Sequence, residues 1–264
     1  MPYAQNGKSI IEKAFAGNYA LPAFNVCSLE MAKACIKAAE LEKAPIILAT
    51  TPVDLEQASP KVMAAMIRAL AEEASVPVLL HLDHGDSVSR ANECLNAGYG
   101  SIMFDGDDLL IEENIRISKD IADLAHANNA IFEAAAGSWG AGEGGNEEVN
   151  LTDPRAAKKI FDESNADMLA CSVGSRHGLS SKLDLTRLEQ IANLCRKPLV
   201  IHGGSGVPAD DISEALKWVW SKSISVPQFH EPLVRFGLKV IKKKLTMMLT
   251  KMPEKQSSRL PQKK

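Results

Sequence analysis

The residues best suited to chemistry lie in VPVLLHLDHGD, Val76 to Asp86. Val78, Leu79 and Leu80 form an apolar run of buried-strand length that breaks into His81, Asp83 and His84 before Gly85. A strand buried on both faces has no structural need for two imidazoles and a carboxylate at its carboxyl end. Two further histidines sit in comparable places, His177 in GSRHG and His202 in IHGGSG, each after an apolar run. Three neutral imidazoles with an open fourth position are a catalytic zinc arrangement that polarises a substrate carbonyl as a Lewis acid. His84, His177 and His202 are therefore the candidate metal ligands, with Asp83 beside them as an acid or base. On the period of a strand, His81 should point away from His84 and support the site from behind. Gly178 follows His177, and Gly203, Gly204, Ser205 and Gly206 follow His202 just before a helix that Pro208 opens. Backbone N–H groups at such a turn can hold an anion, so a phosphorylated ketone is the substrate class expected.

These residues need a scaffold that brings strand ends together. Apolar runs at Leu21–Val26, Pro45–Ala49, Val78–Leu82, Ser101–Phe104, Ala130–Ala134, Met168–Ser172 and Leu199–His202 alternate with helical patterns, starting with Ser28–Glu42, for which Ser28 is an N-cap. Alternation of this kind implies parallel strands with crossover helices, and 264 residues suit a (β/α)8 TIM barrel of α/β class. A doubly wound open sheet is the competing architecture. Asn25, Thr50, Asp83, His84, Asp105, Glu133 and His202 all lie at strand carboxyl ends, and only a closed barrel gathers those ends at one mouth.

Composition narrows the class. The chain is 45% hydrophobic and 24% charged, enough for a full core. It has no apolar run near the roughly 18 residues of a membrane span, and Met1–Gly17 lacks a signal-peptide layout, which favours the cytoplasm. The five cysteines lack CxxC spacing, so neither disulfides nor a zinc ribbon is expected. From Trp218 onward eleven Lys and Arg face two Glu, which leaves a charge of −12 on the first 217 residues against −3 for the whole chain. Residues 1–217 are thus expected to form the barrel through its seventh strand, and 218–264 a basic tail in which SISV could pair as a strand and a later stretch form a helix. The tail's KKK run is read as incidental, with no nucleic acid or membrane partner expected.

AFNV (Ala23–Val26), HLDHG (His81–Gly85), SIMFDG (Ser101–Gly106), His177–Gly178 and HGGSG (His202–Gly206) together resemble the class II, zinc-dependent ketose-bisphosphate aldolases, fructose- and tagatose-bisphosphate members included. The resemblance runs from about Gly7 to Leu216. It implies zinc on His84, His177 and His202, a monovalent cation as a further cofactor, and proton handling by Asp83 at the hydroxyl of the bond cleaved or formed. Asn25 would help hold the enediolate, and Gly178, Gly204 and Ser205 the phosphate of dihydroxyacetone phosphate. FEAAAGSWGAGEGG (Phe132–Gly145) is similar to the family's loop segment and makes Glu143 the base that takes the proton beside the ketone. The chain departs there: Ala135 stands where the family has a second Glu, and Gly144 where it has an Asp. The activity implied is cleavage of a ketose 1,6-bisphosphate to dihydroxyacetone phosphate and glyceraldehyde 3-phosphate by a homodimer or homotetramer.

Beyond Leu216 the family continues into an eighth strand resembling GVVKINIGA, where this chain reads WVWSKSISVP. The single Trp codon means that WVWS, read in the next frame, forces Gly and Val, and synonymous codons let 218–227 spell the family's strand. The expectation is a shifted reading frame from about Trp218. The alternative function is then a catalytically impaired, aldolase-like barrel without a proper eighth strand.

Overall fold

Each apolar run becomes one parallel strand in the computed structural model, which describes residues 3–17, 19–138, 150–176, 180–216, 218 and 221–224. The strands are β1 Leu21–Asn25, β2 Ile46–Thr50, β3 Val78–Gly85, β4 Ser101–Phe104, β5 Ile131–Ala136, β6 Met168–Cys171, β7 Leu199–Ile201 and β8 Ser221–Ile224. They close in sequence order into a barrel, so the open sheet is excluded. Between them run α2 Leu29–Glu42, α4 Pro60–Glu73, α5 Val88–Ala97, α6 Ile111–Ala127, α7 Pro154–Glu163, α8 Leu185–Cys195 and α9 Ala209–Ala215. Two helices lie outside the strand and helix alternation of the sequence: α1 Lys8–Gly17 ahead of β1 and the short α3 Pro52–Gln57 after β2.

Local chemistry sets the helix starts. Ser28 accepts from the Met31 N–H at the start of α2, and Ser87, Asp153 and Asp184 act likewise for α5, α7 and α8. Thr51 and Asp54 form a reciprocal capping box on α3.

Strand alternation sorts the core into two layers. Leu21, Ala23, Ile47, Leu79, Met103, Ile131, Ala135, Met168 and Val200 pack together inside the barrel. Ile10, Ile11 and Ala14 of α1 join them, and Ala4 donates its N–H to the Val78 carbonyl at the start of β3, so α1 covers the barrel's amino end. Phe24, Leu48, Leu80, Leu82, Ile102, Phe132 and Leu199 face the helices instead. Because the period is two, continuing the inner set along each strand predicts which carboxyl-end residues look into the mouth: Asn25, Asp83, Asp105, Glu133 and His202. Thr50 belongs to the outer set, and its hydroxyl bonds the Tyr99 hydroxyl at 2.8 Å, buried under the helices. The sequence expectation that Thr50 lines the mouth is therefore corrected.

β8 comes from the stretch whose composition diverges. Leu21–Phe24 of β1 pair with Ser221–Ile224, and Val200 and Ile201 of β7 pair with Ser221 and Lys222, so these four residues close the ring through their backbone. The later tail, including the stretch expected to be helical, lies outside the described residues. Among the described residues no helix is long and apolar enough to cross a membrane.

Candidate metal and active site

The strand that organises the mouth is irregular at the point of interest. The β3–β4 register shifts between Leu82 and Gly85, and His84 adopts a left-handed backbone with φ +51°. In an unbroken strand Asp83 and His84 would face opposite sides of the sheet. The bulge turns them to the same cavity. A non-glycine residue in that conformation costs roughly 1–3 kcal/mol and concentrates at functional sites. Gly85 makes the turn possible, since a Cβ there would lie 2.3 Å from the Met103 carbonyl oxygen. His81 does not point away as its spacing relative to His84 suggested; it shares the inner face with Asp83, and its Nδ1 is 2.7 Å from the Ser101 hydroxyl.

Around the mouth the side chains are tied in pairs. Asn25 donates from Nδ2 to Asp83 Oδ2 at 2.6 Å. His84 donates from Nδ1 to Asp105 Oδ2 at 2.6 Å, and His202 from Nε2 to Glu133 Oε1 at 2.9 Å. Both imidazoles thereby turn their other nitrogen to one point: His202 Nδ1 lies 3.4 Å and His84 Nε2 4.0 Å from Asp83 Oδ1. Their rings meet edge to face with centroids 4.9 Å apart. One ligand atom from each of Asp83, His84 and His202 falls within 4.8 Å of the others.

This donor set fits a divalent transition metal. Two imidazole nitrogens and a carboxylate oxygen are the ligand types such ions take, and each imidazole has its remote nitrogen fixed by a carboxylate, as is usual for metal-bound histidine. Asp83 Oδ1 is buried and has no hydrogen-bond partner among the described residues, which leaves it available to a cation or to a substrate hydroxyl. The site residues His177, Gly178 and Glu143 lie outside the described residues. Gly204 and Ser205 fall in a 3-10 turn, Gly204–Gly206, directly after His202. Gly203 enters that turn with φ +64°, packed so closely on Arg176 that a Cβ would lie 2.7 Å from the Arg176 carbonyl carbon. Arg176 and the turn that bears Gly204 and Ser205 are thus pressed together directly after His202.

A model of the class II fructose-bisphosphate aldolase family matches residues 5–223. The chain belongs to that family. The 6-phospho-5-dehydro-2-deoxy-D-gluconate aldolase of Bacillus subtilis (strain 168) is 37% identical over 216 residues, covering 79% of this chain and 74% of that protein. The fructose-bisphosphate aldolase of Geobacillus stearothermophilus is 34% identical over 223 residues, covering 81% and 78%. Among solved structures, the YdjI aldolase from Escherichia coli K12 superposes with a TM-score of 0.76 at 26% identity, over 92% of this chain and 94% of that one. A putative fructose-1,6-bisphosphate aldolase from Coccidioides immitis gives 0.83 at 23% identity, over 96% and 99%, a likeness of fold alone. The chain is accordingly an enzyme, an aldolase of the lyase class.

Electrostatics in this aldolase follow from the pairing. Burial alone would raise the Asp83 carboxyl, but His84, His202, His81 and the hydrogen bond from Asn25 outweigh it and hold it well below the usual carboxylate range. Burial works against the charged form of His84, yet Asp83 and the hydrogen bond to Asp105 prevail and push it up to about 9. His81 goes the other way, lowered by burial despite Glu133 and Asp83 nearby. Asp107 is pushed up to about 8 by burial and by its neighbour Asp105. Glu133 and Asp105 received no role as partners of the histidines from spacing alone. The signal lay in strand parity, which puts both on the inner face with His202 and Asp83.

Proposed function

We propose that this enzyme is a zinc-dependent aldolase that cleaves and forms the carbon–carbon bond of a phosphorylated ketose, with dihydroxyacetone phosphate as one product. The observation that carries the reading is the convergence of Asp83, His84 and His202 within 4.8 Å at the carboxyl end of the barrel. His84 and His202, together with His177, would hold the ion. A bound divalent ion supplies Lewis-acid polarisation of the ketone carbonyl. Asp83, kept ionised and aligned by Asn25, accepts the proton of the hydroxyl on the carbon being released as an aldehyde and returns it in the synthetic direction. Glu143 exchanges the proton on the carbon beside the ketone. Gly178, Gly204 and Ser205 bind the phosphate through backbone N–H groups and a hydroxyl.

For the whole substrate, the first reading is fructose or tagatose 1,6-bisphosphate. The identity to 6-phospho-5-dehydro-2-deoxy-D-gluconate aldolases supports a second, a phosphorylated keto acid. Retro-aldol cleavage between the α- and β-carbons of the ketone in either compound releases dihydroxyacetone phosphate, so the difference lies in the far end, a phosphate or a carboxylate. A single assay covers both: dihydroxyacetone phosphate is reduced by a coupled dehydrogenase, with each substrate offered separately and with or without a chelator. Release from one substrate that stops on chelation and returns with zinc is the expected outcome. Release that is insensitive to the chelator would refute the metal assignment, and none from any of the three would favour the impaired barrel.

A further inference from the structure

Glu133 is 2% exposed, on the inner face of β5 between Ile131 and Ala135. A carboxylate in such a place is costly unless it is paired, so its partners indicate its purpose. Its Oε1 takes the hydrogen bond of His202 Nε2 at 2.9 Å, and its Oε2 lies 3.9 Å from His81 Nε2. The His81 ring is itself pinned at Nδ1 by the Ser101 hydroxyl, 2.7 Å away. β5 and β7 are not neighbours, because β6 runs between them, so the Glu133–His202 contact spans the barrel interior.

The proton position follows from the donor inventory. A carboxylate oxygen has only lone pairs to offer, so the hydrogen shared by Glu133 and His202 sits on Nε2. The lone pair of the neutral ring is then on Nδ1, the nitrogen 3.4 Å from Asp83 Oδ1 and therefore on the side of the ligand cluster. Were Nε2 the bare nitrogen, His202 would present an N–H to the ion and could not bind it. His84 repeats the arrangement with Asp105 on the opposite side.

We infer that Glu133, backed by His81 and Ser101, is a positioning residue for the metal: it selects the tautomer of His202 that can ligate and fixes the ring so that Nδ1 meets the ion. This rests on the metal reading proposed above. The carboxylate sits behind the ring, bonded to the nitrogen remote from the ligand cluster. It acts through His202, as partners behind metal-bound histidines do, where their loss weakens binding about 10- to 100-fold.

The test uses the full chain. Zinc and cobalt affinities are measured by competition with a chromophoric chelator for wild type, Glu133→Ala and Glu133→Gln, and folding is checked by circular dichroism. Glu133→Ala is expected to weaken both metals about 10- to 100-fold and to change the visible cobalt spectrum. Glu133→Gln, whose amide oxygen can still accept from Nε2, is expected to lose less than Glu133→Ala; it carries the comparison with wild type if the alanine variant does not fold. In metal-free wild type, nitrogen-15 spectra should show neutral His202 protonated at Nε2. Variant affinities within about twofold of wild type, or a neutral His202 protonated at Nδ1, would overturn the inference while leaving the metal reading in place. A wild-type chain that binds neither metal would overturn the metal reading and this one with it.

Discussion

Protons and metal should compete for His84, and the structure sets the scale. His84 stands at about 9 against an ordinary 6.5. At pH 7 that is two units below its midpoint, so about one ring in a hundred is neutral and able to bind. Displacing the proton at pH 7 costs on the order of a few kcal/mol. The observed zinc association constant should therefore rise close to tenfold per pH unit between about 7 and 8.5 and level off above about 9. Asp107, raised to about 8 by burial and by Asp105, can add a second proton, so a slope of one is the floor. The same groups fix the sign for metal-free stability. A raised histidine contributes stability that is fully present below about 6.5 and lost as pH rises through about 9, and Asp107 acts in the same direction up to about 8. Metal-free protein should accordingly melt at lower temperature as pH increases across that window, while metal-loaded protein should not. The assay is chelator competition at constant ionic strength together with melting curves of both forms. Zinc affinity that stays flat from pH 7 to 8.5 would refute the assignment of His84 as a ligand that must first shed a proton.

Three substitutions probe other parts of the site. Asp83→Asn should lower the cleavage rate roughly 10²- to 10⁴-fold while metal content stays near wild type, and near-normal turnover would dismiss Asp83 as the proton carrier. Asn25→Ala removes the 2.6 Å hydrogen bond to Asp83, a charge-assisted contact of about 1.5–3 kcal/mol; the rate should fall about tenfold or more and the acid limb of the pH profile move upward, because Asp83 loses one of the interactions that hold it low. Gly85→Ala forces a methyl to within 2.3 Å of the Met103 carbonyl, so urea unfolding should report a loss of about 2 kcal/mol or more together with weaker cobalt binding. A loss under about 0.5 kcal/mol would mean that the bulge yields without consequence.

Much of this architecture was legible from periodicity. Seven strand positions follow from apolar runs between capped helices, and the β4 bounds, Ser101–Phe104, agree to the residue because flanking Gly100 and Asp105 are such clear boundaries. Spacing could not disclose the backbone reversal at His84. In the sequence Asp83 and His84 fall at one site because they are neighbours, although in an unbroken strand they would face opposite ways; the register shift at Leu82/Gly85 is what brings them together. Thr50 misled for the complementary reason: it ends a strand, as the site residues do, but with the parity of Ile46 and Leu48, and so points at Tyr99. α1 has no mark in the sequence, since nothing in a short amphipathic stretch announces that it will cover the end of a barrel. The pairing of His202 with Glu133 joins residues 69 apart in sequence across strands that do not touch, a relation that no local pattern encodes.

The bulge in β3 also bears on how such an enzyme can change. Asp83 and His84 are consecutive residues on one distorted turn, so the group that moves a proton and a group that grips the ion share a single backbone hinge at Gly85. A substitution that moves the backbone there shifts both groups together, so a change in the hinge alters reaction rate and metal retention at once, even though either side chain can be replaced by itself. Divergence toward new substrates is then pushed outward, to the loops after β6 and β7, where a side chain can alter what the mouth admits without disturbing that hinge.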